Sequence, residues 1–454
     1  MKILSITAGA AGMYCGSCAR DNSLARELIS RGHDVVLVPV YTPTRTDEPN
    51  VSRQRVLFGG ISVYLQQYVP LFRRTPRFID RLWDSPRIIN ALAGRAVTND
   101  PKLLGDLTIS MLQGERGVLR KEFEKLLDFV RSEPLPDVIN IPNSLLIALG
   151  RPLREALKRP VCCTLQGEEL FIDGLVAPYR DRALKLIRER VSDIDRFIAV
   201  SDYCASFMSR LLTIPRHKIS VVPLGVNMTG YARRQRPNEA QPFRIGYFAR
   251  IAPEKGLHLL ADAYIRFRQR TGKTQARLCV AGYTAPMYQS YMTDVRRKLE
   301  KAGLLDEFVY EGVVDREGKL RFLQSLDVLS VPATYDEPKG LFLLEAMANG
   351  VPVVQPRRGA FVEIVEKTGG GLLVEPNNAH RLADGLFTLW QDRGMADALG
   401  ERAYRDVREH YSIARSADRL LSVYDEVKSP SGTGGADANK GSGFNDRSRT
   451  IVRD

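Results

Sequence analysis

Two glutamates, Glu337 and Glu345, stand with seven residues between them in the stretch EPKGLFLLE. A strand-like run, Val328 to Val331, precedes them, so Glu337 falls on the loop beyond a strand end. Gly340 is placed to open a helix, with Leu341 at its start and Glu345 just over one turn inside. A carboxylate on such a loop accepts hydrogen bonds from sugar hydroxyls, and one a turn deeper reaches a ribose. The helix start between them offers free amides and a positive dipole end, which suits a diphosphate. A second group, Arg250 and Lys255 in GYFARIAPEKG, follows another strand-like run. A departing diphosphate carries two to three negative charges, and without a metal an arginine and a lysine must neutralise it. A third group is Gly9, Gly12 and Gly16 with Ser17, where a backbone without side chains lets a phosphate or sugar approach.

Alternating strand and helix patterns must position these groups. Lys2–Thr7 reads as a strand, Leu24, Leu28 and Ile29 mark a helix ending at Arg31-Gly32, and Asp34–Val40 is a second strand. The rhythm is lost over 47–135, apart from an amphipathic helix at Arg120–Val130 and two β-rich runs within Val56–Val69. It returns with strands at 138–141, 161–165, 197–200 and 219–222. A polar stretch from Asn227 to Pro242 reads as a linker. A second series follows, with strands at 243–248, 278–281, 308–310, 328–331, 351–354 and 372–374. The expected fold is α/β: two Rossmann-like, doubly wound domains facing a cleft, with ligands at the carboxyl ends of the strands. The expected boundaries are 1–228 for the first domain and 229–404 for the second. Residues 428–454 are rich in Gly, Ser, Asn and Lys and are expected to be disordered.

The 454 residues carry 66 Lys and Arg against 53 Asp and Glu, a net charge of +13. That surplus favours anionic partners. No run of 18 apolar residues is present, and the start reads as a strand rather than a signal peptide. The six cysteines, two of them adjacent (Cys162, Cys163), do not make a secreted disulfide framework, so a reducing, cytoplasmic setting is expected. Arg73, Arg74, Arg77, Arg81 and Arg87 lie among Tyr68, Phe72, Phe78 and Trp83. Such a segment is either an ordinary packed helix or a peripheral contact with an anionic membrane face. Nucleic acid is not expected as a partner. Asp193 and Asp195 fit a D-x-D pattern, Cys15 and Cys18 a C-x-x-C pattern, and the five histidines are scattered; none of these is read as a metal site. The glycine spacing is not G-x-G-x-x-G, and no acid ends the second strand, which argues against a dinucleotide cofactor and a Rossmann oxidoreductase.

Over residues 1–427 the chain resembles the family 4 retaining glycosyltransferases (glycosyl transferase group 1), which have the GT-B fold. The resemblance rests on the first glycine-rich loop, Ala199-Val-Ser201, Val222-Pro-Leu-Gly-Val-Asn227, Arg250 with Lys255, Glu337 with Glu345, and Gly359-Ala-Phe-Val-Glu-Ile-Val365. It implies a metal-independent transfer of a hexose, glucose or mannose, from a UDP- or GDP-sugar to a sugar, glycan or glycolipid acceptor, with no cofactor. It implies that Arg250 and Lys255 bind the diphosphate, Glu337 the donor sugar and Glu345 the ribose, with Arg250, Lys255 and Glu337 catalytic. Gly12, Gly16, Gln166, Gly340 and Leu341 complete the expected donor site. Helices at about 405–427 would cross back to the first domain. One departure stands out: members often carry a histidine after the strand matching 161–165, and here the strand runs into Gln166-Gly-Glu-Glu169. Gln166 cannot act as a base, Glu168 is the nearest titratable alternative, and a non-catalytic nucleotide-sugar-binding protein on the same fold is the competing expectation.

Overall fold

The computed structural model describes residues 1–9, 16–44, 46–53, 56, 58, 63, 66–67, 101–234, 241–272 and 275–429. Gly12, Cys15, the Arg73–Arg87 segment and the tail beyond 429 lie outside the described residues.

The first half runs β1 (Lys2–Thr7), α1 (Gly16–Ser30), β2 (Asp34–Pro39), α2 (Pro101–Gln113), α3 (Arg120–Ser132), β3 (Val138–Ile141), α4 (Gly150–Leu157), β4 (Val161–Leu165), α5 (Glu169–Asp173), α6 (Tyr179–Arg188), β5 (Arg196–Ala199), α7 (Asp202–Leu212) and β6 (Ile219–Val221). The second half runs β7 (Phe243–Phe248), α8 (Leu257–Thr271), β8 (Ala276–Ala281), α9 (Gln289–Lys301), β9 (Phe308–Tyr310), α10 (Arg316–Gln324), β10 (Val328–Leu329), α11 (Leu341–Met347), β11 (Val353–Pro356), α12 (Ala360–Thr368), β12 (Gly371–Val374), α13 (Ala379–Gln391), α14 (Arg393–His410) and α15 (Ile413–Lys428).

The strands form two six-stranded sheets, ordered β2-β1-β3-β4-β5-β6 and β12-β11-β10-β7-β8-β9. Every pairing is parallel. Parallel strands need crossovers, which place helices on both faces, and strands buried on both faces read as continuous apolar runs. VINI of β3 and VCCTL of β4 are such runs, buried at every position.

The period-two alternation sorts these side chains onto opposite faces. Leu4, Ile139, Cys163 and Phe197 enter one core with Phe123 and Leu126 of α3 and Leu153 of α4. Ile3, Val138, Cys162 and Ile198 enter another with Leu24 and Leu28 of α1 and with Ile413, Leu420 and Tyr424 of α15. The last helix therefore closes the first sheet although it follows the second in the chain. Ser416 Oγ donates to Pro223 O at 2.6 Å, and Arg31 pairs with Asp418 at 2.6 Å. The adjacent cysteines sit in the middle of a strand on opposite faces, both fully buried.

Other local expectations change for identifiable reasons. β10 is only two residues long, although Ser330 N still donates to Gly246 O of β7 at 2.9 Å. α2 lies in the stretch read as irregular, and Val56 and Phe58 are buried outside any strand. The first part of the expected linker is docked rather than solvated. Tyr231 is buried, and the Arg234 guanidinium reaches Asp327 at 3.2 Å and Asp397 at 3.4 Å. Asp195 of the D-x-D pattern is a fastening: it accepts the Val161 amide at 2.7 Å and pairs with Arg154 at 2.5 Å. No helix among the described residues is long and apolar enough to cross a membrane.

Tyr424 is 1% exposed between α1 and the first sheet. Tyr424→Ala should lower unfolding stability by about 3 kcal/mol, measured by urea denaturation. A loss below about 1 kcal/mol would mean that α15 is not part of this core.

Candidate functional site

In the second sheet the strand order reverses between β7 and β10, the place where a crevice opens beyond the carboxyl ends of parallel strands. The loop after β7 carries Arg250 and Lys255, and the loop after β10 carries Glu337. Thr334 N donates to Glu254 O at 2.9 Å and ties the two loops together. Lys255 ends the short 3-10 turn Pro253–Lys255, ahead of α8. Its ammonium is paired with Glu337 Oε2 and donates to Tyr335 OH at 2.7 Å. Tyr335 OH in turn donates to Glu337 Oε2, and the Lys339 amide donates to Oε1 at 3.3 Å. Glu337 is 2% exposed. Burial alone would raise its pKa, but the charges of Lys255 and Lys339 and the bonds from Lys255 and Tyr335 outweigh it and hold the carboxyl at about 2. Arg250 reaches Glu254 at 2.6 Å and is more exposed.

The backbone beneath is crowded. Gly359 has φ +53, and a Cβ there would stand 2.4 Å from Glu337 O and 2.7 Å from Glu337 N. Only glycine lets α12 start against this loop, with Ala360 N donating to Glu337 O at 2.8 Å. Gly340, at φ +71, turns the chain into α11, where Leu341 is the first helical residue. Glu345 lies inside that helix and is 8% exposed. It accepts from Lys319 Nζ at 2.6 Å and from Tyr231 OH at 3.2 Å. Lys319 also pairs with Asp47 of the first half, and neighbouring Arg316 reaches Glu48 at 3.1 Å.

The carboxyl ends of the first sheet face this loop. Lys339 Nζ donates to Ser17 Oγ at 3.1 Å, and Ser201 Oγ donates to Pro338 O at 2.8 Å. A Cβ on Gly167 would lie 3.0 Å from Pro338 Cγ and 3.6 Å from Lys339 Nζ. Gln166 therefore stands beside the same loop as Glu337. Its Nε2 donates to Pro142 O at 2.9 Å. Glu168, considered as a base, is committed to the backbone: it accepts from Gln166 N at 2.8 Å and Ser144 N at 2.9 Å. Gly16 opens α1, and among the described residues no atom lies within 4 Å of a Cβ position there. Gly9 is needed by the protein itself, since a Cβ would stand 2.0 Å from Thr42 O.

Arg250, Lys255, Glu337, Gly340 and Leu341 thus belong to the two loops at the switch point. Glu345 lies on α11 with partners of its own, and Gln166 and Gly16 come from the opposite sheet. Gly12 falls outside the described residues. Tyr335, Lys319, Tyr231 and Asp47 were not read from the sequence, because each gains meaning only from a distant partner. Among the described residues no group of three His, Cys, Asp or Glu side chains is placed to hold a metal.

The family model for "Glycosyl transferases group 1" matches residues 231–406, and the "Glycosyl transferase 4-like domain" model matches residues 19–225. An uncharacterised glycosyltransferase of Methanocaldococcus jannaschii is 25% identical over 319 residues, covering 67% of this chain and 79% of its own. A lipopolysaccharide core biosynthesis mannosyltransferase of Rhizobium meliloti is 28% identical over 187 residues, covering 40% of this chain and 51% of its own. The chain thus spans about half the length of that mannosyltransferase. Among solved structures, Anabaena HepE in complex with UDP superposes with TM-score 0.66 at 17% identity, covering 94% of this chain and 100% of that one. Sucrose-phosphate synthase of Thermosynechococcus elongatus gives TM-score 0.68 at 17% identity, covering 94% and 99%. At these identities the likeness is one of fold: two Rossmann-like domains.

The Glu337 carboxyl, depressed from 4.5 to about 2, makes a pH-dependent contribution. Above pH 4.5 both states are ionised and the stabilisation is fully present. As the pH falls from 4.5 toward 2, the unfolded chain binds the proton first and the stabilisation is lost. Urea unfolding of wild type and Glu337→Gln should show a gap of about 3 kcal/mol at pH 7 that narrows below pH 4.5. A gap independent of pH would contradict the buried pairing with Lys255.

Proposed function

The chain belongs to the group 1 glycosyl transferases and has the GT-B fold, and from that premise we propose a specific reaction for it. It moves a hexose, glucose or mannose, from a UDP- or GDP-sugar to a sugar, glycan or glycolipid acceptor, with retention at the anomeric carbon and without a metal. The single observation that carries this reading is the buried Lys255–Tyr335–Glu337 unit at the topological switch point of the second sheet.

That unit has the parts a donor requires. A carboxylate held ionised at neutral pH accepts hydrogen bonds from sugar hydroxyls, and the ammonium beside it answers a phosphate. When the bond between the anomeric carbon and the phosphate oxygen breaks, its electron pair leaves with the diphosphate. Lys255 and Arg250 stabilise the charge that develops there. The amides at Gly340 and Leu341 add donors at the helix start. Glu345, paired with Lys319, meets the ribose. The proton of the attacking hydroxyl passes to the departing phosphate oxygen, so no strong base is needed, and Gln166 in place of a histidine is compatible with turnover. Gly16 and Gln166 close the site from the first sheet.

The test is a thermal-shift screen of the purified protein against UDP-, GDP- and ADP-hexoses in EDTA, followed by assay of donor consumption. One nucleotide-sugar should raise the Tm and be consumed. Lys255→Ala and Glu337→Ala should each lower kcat by at least about 100-fold while circular dichroism stays unchanged. Full turnover in both variants would refute the assignment, and donor binding without any consumption would make the protein a binding module.

A further inference from the structure

Two polar side chains beside the Glu337 loop are buried without full partners. Glu169 is 6% exposed, and among the described residues neither of its carboxylate oxygens has a partner in another residue. Gln166 is 4% exposed, and its Oε1 is likewise unpartnered. An unmet buried acceptor is costly, and a carboxylate more so, so a native chain keeps such groups where a ligand completes them. Gln166 lies on the turn after β4 and Glu169 opens α5, with Gly167 between them against Pro338 and Lys339. Asn143 Oδ1, on the adjoining turn after β3, is unmet as well. The orientation of Gln166 is not free to reverse: Nε2 is used by the Pro142 carbonyl, which can only accept, so Oε1 is the atom left over.

We propose that Glu169 and Gln166 form a hydrogen-bond-accepting subsite that holds the glycosyl acceptor through its hydroxyls, and that this subsite takes an uncharged polyol or sugar rather than a phosphate group. The proposal rests on the glycosyltransferase reading above and deepens it. All the unmet atoms of the two side chains are acceptors, so the matching ligand atoms must be donors. A hydroxyl supplies one O–H each; a fully ionised phosphate supplies none and would meet the Glu169 carboxylate as a like charge. Glu169 lies close enough to the Glu337 loop for the charges of Lys339 and Glu337 both to act on it. In the transfer, the acceptor oxygen forms its bond to the anomeric carbon as the bond to the diphosphate breaks. The hydroxyl proton goes to the departing phosphate oxygen, and the subsite positions the polyol without consuming a proton. Burial, then the neighbouring Glu168, raises the Glu169 carboxyl to about 7. Its acceptor capacity therefore grows as the pH rises through that value.

The experiment uses the full chain and the nucleotide-sugar found by the donor screen. Donor breakdown by water is followed beside transfer to glycerol, methyl glucoside and myo-inositol, and to glycerol 3-phosphate and glucose 6-phosphate. Transfer to neutral acceptors should exceed transfer to the phosphates at least tenfold in kcat/KM, and should increase from pH 6 to pH 8. Glu169→Gln relieves a buried acid and so should fold. It should raise the KM for the neutral acceptor about tenfold, a larger factor than any change in the donor KM, and remove the increase with pH. Preference for the phosphorylated acceptors, no transfer to any neutral one while hydrolysis proceeds, or an unmoved acceptor KM in Glu169→Gln would overturn the proposal. Loss of donor hydrolysis in the wild type would instead count against the glycosyltransferase reading itself.

Discussion

A carboxylate with almost no solvent contact governs the second half of this protein. Glu337 is surrounded by an ammonium, a phenol and a backbone amide, and its ionisation depends on them. Removing a charge from water is unfavourable by several kcal/mol unless opposite charge and hydrogen bonds replace the hydration. The replacement comes from two places: Lys255 from the distant turn after β7, and Tyr335 from the same loop after β10 as Glu337. They meet because β7 and β10 are neighbours in the sheet, with crossovers departing in opposite directions on either side. The parallel sheet, the glycine at 359 and the short strand β10 all serve the same placement.

The first half is tied to this loop at several points. Lys339 reaches Ser17, Ser201 reaches Pro338, and the Glu363 carboxylate accepts the amides of Asp202 and Tyr203 at the start of α7. Farther along, Lys319 joins Glu345 to Asp47, and Arg316 joins Glu48. These bonds bring the two sheets' carboxyl ends face to face. They also link Glu337 and Glu345 to different parts of the first half, Glu337 through its own loop and Glu345 through Lys319. In the proposed reaction a ligand between the sheets is met from both sides.

Much of this was legible in the residues because parallel strands advertise themselves. Runs such as VINI and VCCTL cannot be solvated, and the glycines and helix patterns between them dictate crossovers. Glu337 and Lys255 were readable because each follows a strand, where loops of such sheets gather. What stayed hidden depends on long-range packing. Lys319 sits on α10 with a pattern like any surface lysine, yet it is buried between two acids. Arg234 lies in a polar stretch that reads as a solvated linker, but its guanidinium is buried against Asp327. Of the adjacent acids, the sequence favoured Glu168, whereas backbone amides occupy that residue and leave Glu169 unmet. Two neighbouring glutamates cannot be told apart without the fold of the turn that carries them.

The account stands on Lys255 exchanging one anion for another. A crystal structure with the bound nucleotide-sugar tests this most directly. Lys255 Nζ should lie about 3 Å from a diphosphate oxygen, with the Glu337 carboxylate turned to the sugar hydroxyls and Glu345 on the ribose. A nucleotide bound away from the β7 and β10 loops, with the Lys255–Glu337 pair unchanged, would contradict it.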